Sequence, residues 1–260
     1  MTAISSRLID DTEHKEFFSP EDFALFDREK GPRHIAIMMD GNRRWSRSKN
    51  LYPVRGHLEG AEVLNDVVRA AVLLGVQTLT VYAFSTENWN RPESEVESLM
   101  KIFELYLVRK RQLMMKEGIR LDAIGDISQL PIRVQKALQK TRQATCNNQK
   151  INLILALNYG GRDEIRRAIG RILVRHDEKK ITPSELTEQF ISQYLDTNRW
   201  GDPDLLIRTS GEMRVSNFLL WQISYTEFYV TDVLWPAFTP QELLRAVLAF
   251  QARHRRLGGG

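Results

Sequence analysis

Asp40 is where the chemistry of this sequence begins. It closes a short apolar run in HIAIMMDGNRRW, residues 34–45, and leads into Gly41, Asn42, Arg43, Arg44 and Trp45. One carboxylate amid so many donors suits a magnesium–diphosphate site, because Mg²⁺ takes one or two carboxylates and completes its shell with water and phosphate oxygens. Gly41 would let the backbone approach an anion, and the amides after it could cradle one. The same residues also admit a plain Asp-Gly turn. Residues 33–55 carry Arg33, Arg43, Arg44, Arg47, Lys49 and Arg55 against Asp40 alone, a bias that a merely solvated surface does not require.

Other stretches hold comparable chemistry. In STENWNRP, residues 85–92, Ser85, Glu87, Asn88 and Arg91 either bind something polar or cap a helix start. Capping leaves Trp89 unexplained, since a large aromatic at a helix start packs against something. In RTSGEMRVS, residues 208–216, Arg208, Arg214 and Ser216 form a second candidate anion site, with two guanidinium groups matched to one diphosphate. The alternative is that these arginines pair with Glu212. Glu227, between aromatics in YTEFY, is a carboxylate that needs a partner, and a metal is one candidate. His57 is a helix cap, a core imidazole or a phosphate donor. No GxxxxGK[ST] run is present, which excludes the common nucleotide loop.

The surrounding pattern says what must position these residues. Strands are expected at HIAIMM (34–39), TLTVYAF (78–84), IRLDAIG (119–125) and INLILALNYG (151–160), the last apolar almost throughout, as in a strand covered on both faces. DLLIRTSGE (204–212) and YTEFYVTDVLW (225–235) add two more. Helices are expected over 57–75, with Leu64, Val67, Val68, Ala71 and Leu74 on one face, over 92–118 as one long helix, and over 130–145 and 160–176. TPSE (182–185) and TPQE (239–242) have the capping-box signature of a helix start. The alternation predicts a single α/β domain over 31–260: a mostly parallel sheet of about six strands flanked by helices, preceded by a loose arm over 1–30. In such sheets ligands gather beyond the carboxyl ends of the strands, where NYGGRDE and the loops above fall.

Bulk composition narrows the class. Hydrophobic residues make up 42% and charged residues 27% of the 260, as in a soluble globular chain. The net charge of +4 suits anionic ligands without identifying a nucleic-acid binder, and no nucleic-acid motif is present. One cysteine, Cys146, excludes an intrachain disulfide and points to a reducing, cytoplasmic setting. No signal-peptide pattern opens the sequence, and no apolar stretch reaches the roughly 18 residues a membrane span needs.

At these motifs the sequence resembles a known family. HIAIMMDGNRRW, GHLEGAE, TVYAFSTENWNRPESEVESLM, NYGGRDEI, DLLIRTSGEMRVSNFLLWQISYTEFYVTDVLWPAF and the ending RRLGGG are similar, in order from about residue 33 to residue 258, to the cis-prenyltransferases of the bacterial isoprenyl transferase, or undecaprenyl diphosphate synthase, type. The resemblance implies a homodimeric, Mg²⁺-dependent enzyme that adds isopentenyl diphosphate to an allylic diphosphate, each new double bond being cis. It implies that Asp40 works with Mg²⁺ at the allylic diphosphate, which Gly41, Asn42, Arg43 and Arg44 also hold, with Trp45, His57 and Arg91 lining the same region. Arg208, Arg214, Val215 and Ser216 would hold isopentenyl diphosphate, and Glu227 would be a second metal ligand. Ser85, Thr86, Glu87, Asn88 and Trp89 would lie between the two, with Asn88 at the position assigned to proton removal. Arg256 and Gly258 would reach the partner subunit's site.

A growing prenyl chain would need an apolar tunnel, for which Leu64, Val67, Val68, Leu99, Met100 and Phe103 are candidates, and product release would involve peripheral membrane contact. A non-catalytic accessory subunit would be expected to lose the aspartate or the 85–92 loop, and both are kept. Departures from the family pattern are Arg43 in place of a common glycine, Pro53 where a phosphate-contacting arginine is usual (Arg55 being its candidate substitute), and Met213 in place of a histidine.

Overall fold

A computed structural model describes residues 16–179 and 181–253. Six strands form one sheet: β1 His34–Met38, β2 Thr78–Ser85, β3 Ile119–Ile124, β4 Ile151–Tyr159, β5 Leu205–Arg208 and β6 Glu227–Val230. Their order is β3-β4-β2-β1-β5-β6 and every pairing is parallel, so the expected mostly parallel sheet is wholly parallel among the described residues. All five residues of β1 are buried, as expected of a strand paired on both sides and covered on both faces.

The helices are α1 Pro20–Phe23, α2 Asn42–Ser48, α3 Pro53–Leu73, α4 Glu93–Arg109, α5 Arg111–Glu117, α6 Ile132–Thr145, α7 Gly161–Lys179, α8 Glu188–Ser192 and α9 Pro240–Gln251. On one face of the sheet, Ile35 and Ile37 share a core with Leu64, Val67 and Val68 of α3, Leu99 and Met100 of α4, Val134 of α6 and Leu243 of α9. On the other face, Ala36 and Met38 meet Tyr159, Phe218 and Leu219.

The long helix expected over 92–118 is interrupted at Lys110. The hydroxyl of Thr141 donates to the carbonyl of Leu107 at 2.8 Å, and Arg111 donates its Nε to that hydroxyl at 3.0 Å. The carbonyl that the Arg111 amide would use is thus bonded by a side chain from α6, a recognised cause of a helix break. TPSE forms its capping box, but on a single 3₁₀ turn at Pro183–Glu185. TPQE does open a helix, with Thr239 accepting from the Glu242 amide.

The described part of the N-terminal arm is docked. Phe18 is buried and stacks on Phe23, the Ser19 amide donates to Gln241, and Arg28 donates to the carbonyl of Leu73.

Candidate active site

The chain direction of a parallel sheet gathers the loops that matter. Asp40 follows β1, the 85–91 turn continues β2, Asn158–Gly161 close β4, and Arg208 ends β5. All lie at the carboxyl edge, and the connections diverge at β1, whose neighbours are β2 and β5. A cavity of about 520 Å³ opens there. Its lining joins polar residues, Asp40, Asn42, His57, Ser85, Glu87, Asn88, Arg91, Arg208, Arg214, Ser216 and Asn217, to the side chains of Leu64, Leu99, Ile102, Phe103, Tyr106 and Leu155. Of the six apolar residues proposed for a tunnel, Leu64, Leu99 and Phe103 line this cavity. Val67, Val68 and Met100 are instead core residues, turned into the packing beside the sheet.

At the centre, Arg208 and Asp40 are joined. Arg208 Nε donates to Asp40 Oδ2 at 2.9 Å, and its Nη2 lies 2.9 Å from the same oxygen. Arg208 is only 4% exposed, and its Nη1 has no partner. A buried guanidinium nitrogen without an acceptor is costly unless a ligand supplies one. Asn42 Oδ1, His57 Nε2 and Ser210 Oγ are also buried and unpartnered.

Asn42 opens α2, whose first turn has no side-chain cap. Gly41 at its N-cap has φ +106°, and a Cβ there would come within 2.8 Å of Ser210 Oγ. Only glycine suits that backbone and that approach.

The remaining arginines are held by acids. Glu212 bonds Arg44 at 3.1 Å and also Arg214, linking the α2 turn to the loop after β5. The alternative reading of Arg214 as a partner of Glu212 is therefore realised, while Arg208 pairs with Asp40. Glu95, which the sequence reading missed, accepts from Arg91 at 3.1 Å and lies 3.8 Å from Arg43 and 4.0 Å from His57 Nε2.

Trp89 donates its Nε1 to Asn158 Oδ1 at 2.7 Å and meets Phe84 edge-on, which accounts for an aromatic in that turn. The Ser85 amide donates to Asn88 Oδ1 at 3.2 Å, orienting the Asn88 amide. Partial burial raises the pKa of Glu87, but hydrogen bonds from Asn217, its own backbone, Ser85 and Thr86 outweigh this and bring it below the ordinary value. Gly41, Arg43, Arg44, Trp45, Thr86, Trp89 and Val215 flank the cavity residues in sequence without lining the cavity. Met213 is 87% exposed, and Arg55 is exposed and away from the lining.

Within one chain, Glu227 is not brought to Asp40. It pairs in register with Leu205, at the amino end of the strands, and Arg253 binds it at 2.6 Å. Among the described residues no group of three or more His, Cys, Asp or Glu converges. The donor set at Asp40 still fits Mg²⁺ carried in with a diphosphate, since one protein carboxylate suffices when phosphate and water supply the other oxygens. Arg256 and Gly258 lie outside the described residues.

His57 is a strongly shifted group at the site. Burial foremost, then Arg91 and Arg43 against the opposing pull of Glu95, push it down to about 4, so it is neutral near pH 7. Its folded-state value lies below the unfolded one of 6.5, so keeping the ring neutral contributes stability above that pH. The contribution drains away as pH falls toward 4, by about 3 kcal/mol at most. His57→Gln is therefore expected to flatten the loss of stability between pH 7 and pH 4 in urea unfolding, and a pH dependence equal to wild type would refute this.

The pattern of strand-end loops, one aspartate and two arginine groups has counterparts among known proteins. The family model described as "Putative undecaprenyl diphosphate synthase" matches residues 38–258. The chain belongs to that prenyltransferase family. An isoprenyl transferase of Prochlorococcus marinus is 47% identical over 233 residues, 90% of this chain and 86% of the relative. That of Fusobacterium nucleatum is 49% identical over 88% of this chain and 96% of its own. Among solved structures, a lavandulyl diphosphate synthase from Lavandula x intermedia, in complex with dimethylallyl diphosphate, superposes with a TM-score of 0.86 at 37% identity, covering 88% of this chain and 99% of that one. A probable undecaprenyl diphosphate synthase from Campylobacter jejuni gives 0.74 at 33% identity, over 87% and 98%. This prenyltransferase thus places its polar residues at the carboxyl ends of its own parallel strands. Its described helices include none long and apolar enough to cross a membrane.

Proposed function

We propose that this prenyltransferase condenses isopentenyl diphosphate, in successive cis additions, onto an allylic diphosphate, farnesyl diphosphate being the expected primer. The expected product is a long-chain polyprenyl diphosphate, undecaprenyl diphosphate, the lipid-carrier precursor for cell-wall synthesis. It would be made in the cytoplasm by a homodimer, with peripheral membrane contact at release.

The observation that carries this reading is the cavity's polarity. Arg208, Asp40, Arg91 and Arg214 share its lining with the aliphatic and aromatic side chains of Leu64, Leu99, Ile102, Phe103 and Leu155. Such a site suits a ligand with an anionic head and an apolar tail. Holding two diphosphates side by side turns carbon–carbon bond formation into an effectively intramolecular step. Arg208 and Arg214 would hold one head, and Arg43, Arg44 and the α2 amides the other. Asp40 would hold Mg²⁺, which when bound neutralises charge on the departing diphosphate. Asn88, fixed through its Oδ1, would sit where the proton is lost.

Incubation with Mg²⁺, farnesyl diphosphate and labelled isopentenyl diphosphate, followed by product chromatography, tests the reading. A ladder ending in one dominant long product is expected, and absence of any elongated product overturns it.

A further inference from the structure

The 86–90 turn that carries Asn88 is a short 3₁₀ segment. Two side-chain bonds tie it to neighbouring loops. Trp89 is bound by Asn158, and Glu87 by Asn217, whose Nδ2 donates to Glu87 Oε1 at 2.8 Å. Both asparagines have left-handed backbones, with φ +47° at Asn158 and +62° at Asn217. Non-glycine residues adopt that region at a cost, and a cost kept beside a site is a pointer to function.

Asn217 does more than hold Glu87. Its carbonyl accepts from the Gly161 amide at 2.6 Å and its Oδ1 from the Arg162 amide at 2.9 Å, satisfying the start of α7 from another loop. A Cβ on Gly160 would lie 2.7 Å from both Asn217 Nδ2 and Thr86 Oγ1, so the three loops close on one another with no spare volume. Tyr82 stacks on Phe218 at 4.3 Å, and its hydroxyl lies 3.1 Å from the Tyr159 carbonyl and 3.4 Å from that of Ser216, seating the segment on either side of Asn217.

We infer that Asn217 is a positioning residue: by binding Glu87 it fixes the Asn88 turn relative to the Arg214–Ser216 run, so that the groups on the two loops keep one spacing. The inference rests on reading the cavity as the reaction site. The bond to Glu87 is solvent-facing. Its loss should therefore leave thermal stability nearly unchanged while disturbing geometry, and misplacement of about 1 Å can cost on the order of 100-fold in rate.

Asn217→Asp separates the two roles. The new carboxylate still accepts from the Arg162 amide and tolerates the left-handed backbone, but it faces Glu87 with like charge. In N217D, kcat should fall at least about tenfold with a smaller change in KM. Adding Glu87→Gln restores a donor to the pair, so N217D should cost much less in the E87Q background. Equal losses in both backgrounds would overturn the inference.

Hydrogen–deuterium exchange over residues 85–91 reads the tether independently of substrate. Exchange should quicken in N217D and slow again in N217D/E87Q, and unchanged exchange in N217D would also overturn it. A wild type that is inactive on the substrate pair, yet shows this exchange pattern, would instead count against the functional reading alone. Should N217D not fold, N217G and E87A replace it. Losing one shared bond twice costs no more than losing it once, so additive losses would refute the pairing.

Discussion

Asp40→Ala is expected to lower turnover by about 10²- to 10³-fold, the scale of removing one electrostatic contact to developing charge. It should also destabilise the protein, because Asp40 is the acid that pairs with Arg208. That guanidinium is buried, with Nη1 unpartnered and both Nε and Nη2 directed at one carboxylate oxygen. Removing the acid leaves a buried cation alone, which in a fully buried pair costs about 3–5 kcal/mol. Asp40 is itself 40% exposed, so water can replace part of what is lost, and about 2 kcal/mol is the fitting scale. For a chain of this size that is about 4–8 °C in Tm. Asp40→Asn separates the effects. It keeps an oxygen for Arg208 and should recover most of the Tm, yet stay nearly as slow as the alanine variant. An asparagine variant that retained most of its turnover would show that the carboxylate charge is not used.

Much of this arrangement was legible because its signals are local. The apolar runs of β1, β2 and β4, the Asp-Gly step after β1 and the Ser-Thr-Glu-Asn turn after β2 are each written within a dozen residues. Parallel pairing then carries them to one edge.

What escaped depends on contacts between distant segments. Glu95 looks like any helix-start acid until α2, α3 and the 85–91 turn converge on it. The break at Lys110 is made by a threonine on another helix. Trp235, whose amide donates to the Asp40 carbonyl and whose ring nitrogen donates to Gly60, lies far along the chain from both. Glu227 fell at the opposite end of the sheet because YTEFYVTDVLW does not say where in the run the strand starts. Register alone decides which end a residue occupies.

Gly56 and Gly60 show how distance in sequence hides a constraint with large consequences. They lie four residues apart on the face of α3 that receives α2. A Cβ on Gly56 would stand 2.1 Å from the Asn42 carbonyl oxygen and 2.6 Å from Ser46 Oγ, which also accepts the Gly56 amide at 2.7 Å. The obstructing atom is backbone, so no rotamer change relieves it, and α2 must move off α3. Gly56→Ala is expected to cost about 3 kcal/mol or more, at the upper end for overpacking. It should also abolish most activity, because Asn42, Arg43 and Arg44 ride on the displaced helix while His57 stays on α3. Gly170→Ala is the matched control. It sits exposed inside α7 with nothing within 4 Å of its would-be Cβ, so the same methyl should stabilise by about 0.5–1 kcal/mol through helix propensity and chain entropy. Opposite signs of ΔTm for these two variants are the expected result. A Gly56→Ala protein that melted and turned over like wild type would mean that the close approach of α2 to α3 does not set the position of the Asn42–Arg44 turn.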